Sequence, residues 1–226
     1  MSTRLFRTLI ALTGFIGVAA LMFSFSINPG PPAGATIPQI MAWGKANENL
    51  ILAGAWFQAF GSLLNVIFIL ALIHMSDAGQ KLSGWITAFA AIVIMGVSLV
   101  EVSFYISAIE SGVAGDMTAL SISLYLIKAI QHAYVIVPAP TLLIGLGIVL
   151  LNARLFPRAF SYIFIAFGLV MGILGLIGTF VPMQGIIDSV LAAQEVWFAI
   201  TAIVLAVNAR KVENGKMVNE QRSAVA

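Results

Sequence analysis

The chain contains no cysteine and only two histidines among its 226 residues. Disulfides, thiolate nucleophiles and cysteine-ligated metals are therefore excluded. Charge is equally scarce. Ionisable Asp, Glu, Lys and Arg make up 9% of the residues, against about 25% in a soluble domain, too little to coat a globule in water. The formal net charge of +2, with no basic patch interleaved with aromatics, gives no basis for nucleic-acid binding. Also missing are a glycine-rich phosphate loop, a His-Glu-x-x-His pair, a nucleophile elbow, a heptad array, an arginine ladder and a selectivity-filter signature.

Apolar length is what the chain has in abundance, with 61% hydrophobic residues. Six stretches, Leu5–Ile27, Leu50–Ile73, Gly84–Ile109, Leu120–Leu151, Ala159–Val181 and Ile186–Val207, are broken only by short polar turns. At about 1.5 Å per residue each reaches across a hydrocarbon core of roughly 30 Å. Lipid offers no hydrogen bonds, so a crossing segment must satisfy its own backbone, and a helix does so. The expected fold is all-α: a six-helix transmembrane bundle over residues 1–209, followed by a short polar tail at 210–226. Its obligatory partner is the lipid bilayer.

The cations segregate. Arg4, Arg7, Lys81, Arg154, Arg158, Arg210, Lys211, Lys216 and Arg222 fall on one side of a six-span chain. The other side holds Lys45 with Glu48, Glu110, Asp116 and Asp188. The positive-inside rule then places both termini in the cytoplasm. The run after Arg4 and Arg7 also has the look of a secretory signal. It is longer than a typical signal core and lacks a clear small-residue cleavage site, so it is read as a retained first span.

Between the first two spans, Asn28-Pro29-Gly30-Pro31-Pro32 cannot continue a helix. Residues 38–46 are read as a tethering loop anchored by Trp43, with a short interfacial helix as the alternative. In the fourth span Pro138 and Pro140 predict a kink near residues 135–139. In the fifth, Gly168, Gly172 and Gly175 share one helical face, on which another helix, or a second copy of the chain, could approach closely. His74 at the inner end of the second span is taken as exposed and uninvolved. Trp56, Trp85 and Trp197 are taken as interface anchors or packing groups.

Ionisable groups within the spans carry the functional question, because a charge in lipid is costly. These are Glu101, Lys128, His132 and Glu195. Counting from the span ends puts them at one level between the outer interface and the midplane, together with Gln58, Gln131 and Gln194. Polar stripes Gln58–Ser62–Asn65 and Ser98–Glu101–Tyr105 repeat at helical spacing. The simplest arrangement is a central polar cluster with Lys128 as counter-ion to Glu101 or Glu195. One histidine and two carboxylates fall short of a recognisable zinc set, and no metal or cofactor is expected.

Three readings follow. The leading one is proton-linked or small-molecule binding or transport, with Glu101 and Glu195 as proton or cation acceptors and His132 as a titratable relay. The second is an intramembrane enzyme with a glutamate as base and His132 as acid or ligand. The third is a non-catalytic partner or sensor subunit, whose cluster only fixes helix register. Enzymatic activity is left open and is not the favoured reading.

The residues Asn47-Glu48-Asn49, Arg154-Leu155-Phe156-Pro157-Arg158 with Ser161 and Gly168, and Gln194-Glu195-Val196-Trp197, with a glutamate in the third span, carry a resemblance. With these the chain resembles a group of bacterial six-span membrane proteins catalogued only as a domain of unknown function. Pro138 and Pro140 depart from that pattern. The resemblance implies a bacterial inner-membrane location and implies no activity.

Overall fold

Each apolar stretch is helical, and the turns between them carry the residues that stop and start helices. The computed structural model describes residues 3–28, 32, 34–153, 155–181 and 184–225, without the side chains of 3, 4, 184, 187, 188 and 209–225. Pro29, Gly30, Pro31 and Arg154 lie outside the described residues, as do the side chains of Arg4, Asp188, Arg210, Lys211, Lys216 and Arg222. The helices are α1 (Thr3–Ile27), α2 (Ile37–Met75), α3 (Leu82–Ala114), α4 (Met117–Ile136), α5 (Pro138–Asn152), α6 (Arg158–Gly178) and α7 (Gln184–Val225). No strand occurs among the described residues. With α4 and α5 counted as one broken rod, six helices are long and apolar enough to cross a membrane.

One segment differs from the sequence expectation. Residues 38–46 are not a tethering loop but the first turns of α2, continuous with the second span. Thr36 donates its backbone N–H to Gln39 Oε1 at 2.8 Å. Pro38 sits in the first turn, where a missing N–H goes unnoticed. At the other end of the chain the backbone of α7 runs on to Val225.

Between α3 and α4 the chain reverses in two residues. Gly115 adopts φ 81°, the left-handed conformation that glycine tolerates at a helix end. Asp116 then caps α4, its Oδ1 accepting from the N–H groups of Thr118 and Ala119 at 3.0 Å each.

Neighbouring rods run antiparallel. Gly14 lies against Phe68 and Gly61 against Leu21, and Ser107 bonds Ser123 at 3.0 Å. Helices pack in chain order, and α7 returns to α1, which closes a ring with a central space. Both termini therefore share one end, called here the terminal end. Towards that end the ring is filled by Phe68, Leu72, Leu143, Leu146, Leu150, Phe164 and Leu205, each no more than 2% exposed. In a lipid surrounding, close packing rather than exclusion of water would make this core cohesive.

The exterior is apolar. On α3 the stripe Leu82, Trp85, Phe89 and Ile92 is exposed throughout. Trp56 also faces outward, stacked on Phe60 at 5.1 Å. Trp197 instead packs among Phe160 and Phe164.

The expected kink is a complete break. Val137 leaves helical geometry (φ −129°, ψ −58°), and α5 restarts at Pro138. Neither Pro138 nor Pro140 can donate a backbone hydrogen bond, so the preceding carbonyls lose their helical partners. The glycine face of α6 crosses this break. A Cβ added at Gly175 would come within 2.7 Å of the Val135 carbonyl oxygen, and one at Gly168 within 3.0 Å of the Pro140 oxygen. Gly168 and Gly175 thus let the chain's own α4–α5 junction approach closely. The prolines and the glycines form one structural device.

Candidate functional site

Glu101 of α3 is gripped from both sides by carboxamides. Gln58 of α2 donates Nε2–H to its Oε2 at 2.7 Å, and Gln131 of α4 donates Nε2–H to its Oε1 at 2.8 Å. Each oxygen is thereby engaged, and three helices are tied at one level. Charge-assisted bonds of this length are among the stronger hydrogen bonds in proteins. One turn further along α2, Ser62 Oγ meets Ser98 Oγ at 2.8 Å.

Glu195 of α7 is held more loosely. Asn65 Nδ2 reaches its Oε2 and Gln194 Nε2 reaches its Oε1, both at 3.4 Å. The acceptor atoms of these same amides are left over. Gln194 Oε1 and Asn65 Oδ1 are buried and have no hydrogen-bond partner. Asn65 lies against Gly17, where a Cβ would approach its Oδ1 to 2.6 Å. Buried acceptors are normally satisfied, and two beside Glu195 are not, while Glu101 is held by the shorter bonds.

Both carboxylates stand on the wall of one central cavity of about 180 Å³. Gln58, Ser62, Asn65, Ser98, Gln131, His132, Tyr134 and Gln194 supply the rest of its polar lining, and Leu21, Phe25, Leu142 and Phe198 part of its apolar lining. The α4 contribution comes from the turns just before the break at Val137. A second, mostly apolar cavity of about 140 Å³ sits against the first, towards the end opposite the termini. Phe25 and Gln58 belong to both walls. Ile40, Met41 and Trp43, from the part of α2 read as a loop, line the second cavity, and so does Tyr105.

The sequence-predicted residues therefore separate into three groups. Glu101, Glu195, Gln58, Asn65, Gln131 and Gln194 are brought together, with His132 exposed at the rim. Glu101 meets Gln58 and Glu195 meets Asn65, seven residues or about 10 Å further along α2, so the two carboxylates stand at two levels rather than one. Tyr105 lines the outer cavity only.

Lys128 does not act as the counter-ion. It is exposed, is absent from the cavity wall, and among the described residues no ion pair joins it to a carboxylate. The reason is helical phase. The inward stripe of α4 is Ile127–Gln131–Tyr134–Val135, with Ile127 and Val135 buried. Lys128 is turned about 100° from Ile127. The acids meet amides where sequence reasoning expected a base.

Tyr134 was overlooked in the sequence. It lines the cavity, and its side chain interacts with Gln194. The signal was its i, i+3 relation to Gln131, which the Lys128–His132 pair overshadowed. Among the described residues no three carboxylate or imidazole groups converge as metal ligands would.

The site that these features define is a carboxylate pair in an amide-lined cavity inside an all-α bundle of six potential spans. No family model matches the chain, and no curated protein or solved structure matches it.

Proposed function

We propose that the chain is a polytopic membrane protein that takes up a small molecule or protons at Glu195, as a binding or transport component. The observation that carries this reading is the cavity itself. It holds two glutamates from different helices, flanked by four carboxamides, and its described lining includes no lysine or arginine. A carboxylate held away from water is stabilised by whatever brings it positive charge, whether a proton or a cationic ligand. The two glutamates divide the work. Glu101, held by two short bonds, ties α2, α3 and α4 together, while Glu195, loosely held beside an unpartnered acceptor, receives the ligand.

Other features support a transport-type role. The α4–α5 break adjoins the cavity, and broken helices commonly line transporter sites. The second cavity lies towards the end opposite the termini, while large apolar side chains fill the ring towards the terminal end. The apolar exterior suits lipid. Arg7, Lys81 and Arg158 at the terminal end favour a cytoplasmic position for both termini. The resemblance to bacterial six-span proteins favours an inner membrane.

Reconstitution tests the reading. Wild-type protein in liposomes with an entrapped pH dye is expected to give a proton-linked flux with at least one solute from a panel of amines, amino acids, sugars and carboxylates. Glu195→Gln is expected to lose that flux while still reconstituting. If Glu101→Gln and Glu195→Gln leave every flux and every binding signal unchanged, the role is wrong.

A further inference from the structure

We infer that the ligand is an amphipathic organic amine, its ammonium group seated at Glu195 and Gln194 and its apolar body lying in the outer cavity. The inference rests on the reading of Glu195 as the receiving group.

The head-group assignment follows from what the deep cavity lacks. Glu195 accepts only two long bonds. Gln194, 2% exposed, keeps Oε1 without a donor. An incoming group that carries positive charge and several N–H donors would pair with the Glu195 carboxylate, and with Gln194 Oε1 once that amide turns towards the cavity. An anion would meet two carboxylates, and a neutral apolar molecule would leave the acceptor unpaired. A quaternary ammonium supplies the charge without the donors.

The body assignment follows from the outer cavity. It shares the wall residues Phe25 and Gln58 with the first, and its wall includes Ile40, Met41, Trp43 and Leu124. Its depth order is fixed by α3. Glu101 lines the central cavity, and Tyr105 and Gly112 line the outer one. A ligand with its head at Glu195 and its tail directed away from the terminal end therefore has to part the shared wall beside the Gln58–Glu101 bond to fill the apolar chamber.

The wall also offers a way to close that chamber alone. Gly112 is buried on α3 and lines the outer cavity, and a Cβ placed there meets nothing within 4 Å. Gly112→Leu can therefore project into the chamber with no clash at its Cβ.

Calorimetry on protein in lipid nanodiscs, with empty nanodiscs as blank, tests the inference with methylamine, butylamine, hexylamine, hexyltrimethylammonium and hexanol. Affinity among the primary amines is expected to rise about fourfold per methylene. Hexylamine is expected to exceed hexyltrimethylammonium by about tenfold, the worth of one charge-assisted hydrogen bond. Gly112→Leu should flatten the chain-length series and leave methylamine binding intact, and Gln194→Leu should erase the preference for primary over quaternary. Equal binding of hexylamine and hexyltrimethylammonium, or of hexanol, would overturn the ammonium assignment. A chain-length series that Gly112→Leu does not alter would overturn the outer-cavity assignment. If no amine binds but a Glu195-dependent flux of another solute persists, the inference fails and the transport reading stands. If nothing depends on Glu195, both fail.

Discussion

The three glycines of α6 look equivalent in sequence, and the structure makes them unequal. A Cβ at Gly175 would meet three backbone atoms of the α4–α5 junction at 2.7–3.0 Å, none of them able to swing aside. At Gly168 the neighbours are the Ile144 side chain at 2.6 Å and two backbone atoms at 2.9 and 3.0 Å. At Gly172 the nearest atoms are Pro140 carbons at 3.6 and 3.7 Å, an ordinary contact. Replacing glycine by alanine in a helix gains about 1 kcal/mol of propensity at any of the three sites. Overpacking against atoms that cannot move costs about 1–3 kcal/mol. The propensity gain cancels between variants, so Gly175→Ala should be less stable than Gly172→Ala by about 1–3 kcal/mol. Gly168→Ala should fall between them, and Gly172→Ala should equal or exceed wild type. Reversible unfolding in mixed micelles, or steric trapping in bicelles, reads these differences. Three equal values, or Gly172→Ala as the most damaging, would refute the packing of α6 on the break. The result bears on the site, because that packing fixes the helix that presents Gln131 and Tyr134.

Other substitutions follow from the same geometry. Glu101→Ala removes both amide–carboxylate bonds and should destabilise the bundle by about 1–3 kcal/mol in the same unfolding assay; no measurable loss would mean the brace carries no load. Lys128→Gln should stay within about 0.5 kcal/mol of wild type, as exposed substitutions usually do, and should leave flux unchanged. Asp116→Ala deletes the α4 cap and should cost about 1 kcal/mol, with faster amide exchange at Thr118 and Ala119 as the local signature.

Sequence reasoning reached the six long apolar helices because apolar length and turn chemistry are local properties. It reached Gln58, Glu101, Gln131 and Glu195 because polar groups in such helices stand out against their surroundings. It misjudged residues 38–46, where the short run Ile40-Met41-Ala42-Trp43 is too brief to signal a helix that is continuous with the next span. It placed both glutamates at one level, because counting from span ends does not tell how far α7 is shifted along α2, where Glu195 meets Asn65 while Glu101 meets Gln58. It chose Lys128 as counter-ion, because opposite charges are the most conspicuous pair a sequence offers. Which of Lys128 and Gln131 faces inward is a matter of helical phase, set by the packing of Ile127 and Val135 in the core. The glycine face and the prolines were read separately, and only their contact across the chain shows them to be one feature.

The central claim is that the buried acids are partnered by amides and not by the chain's own base. A cryo-electron microscopy map of the protein in lipid nanodiscs, sharp enough to place side chains, tests it most directly. The expected result has the Glu101 carboxylate between Gln58 and Gln131, Glu195 beside Asn65 and Gln194, and Lys128 directed away from the cavity. A map with Lys128 Nζ turned inward and paired with Glu101 or Glu195 would contradict the account.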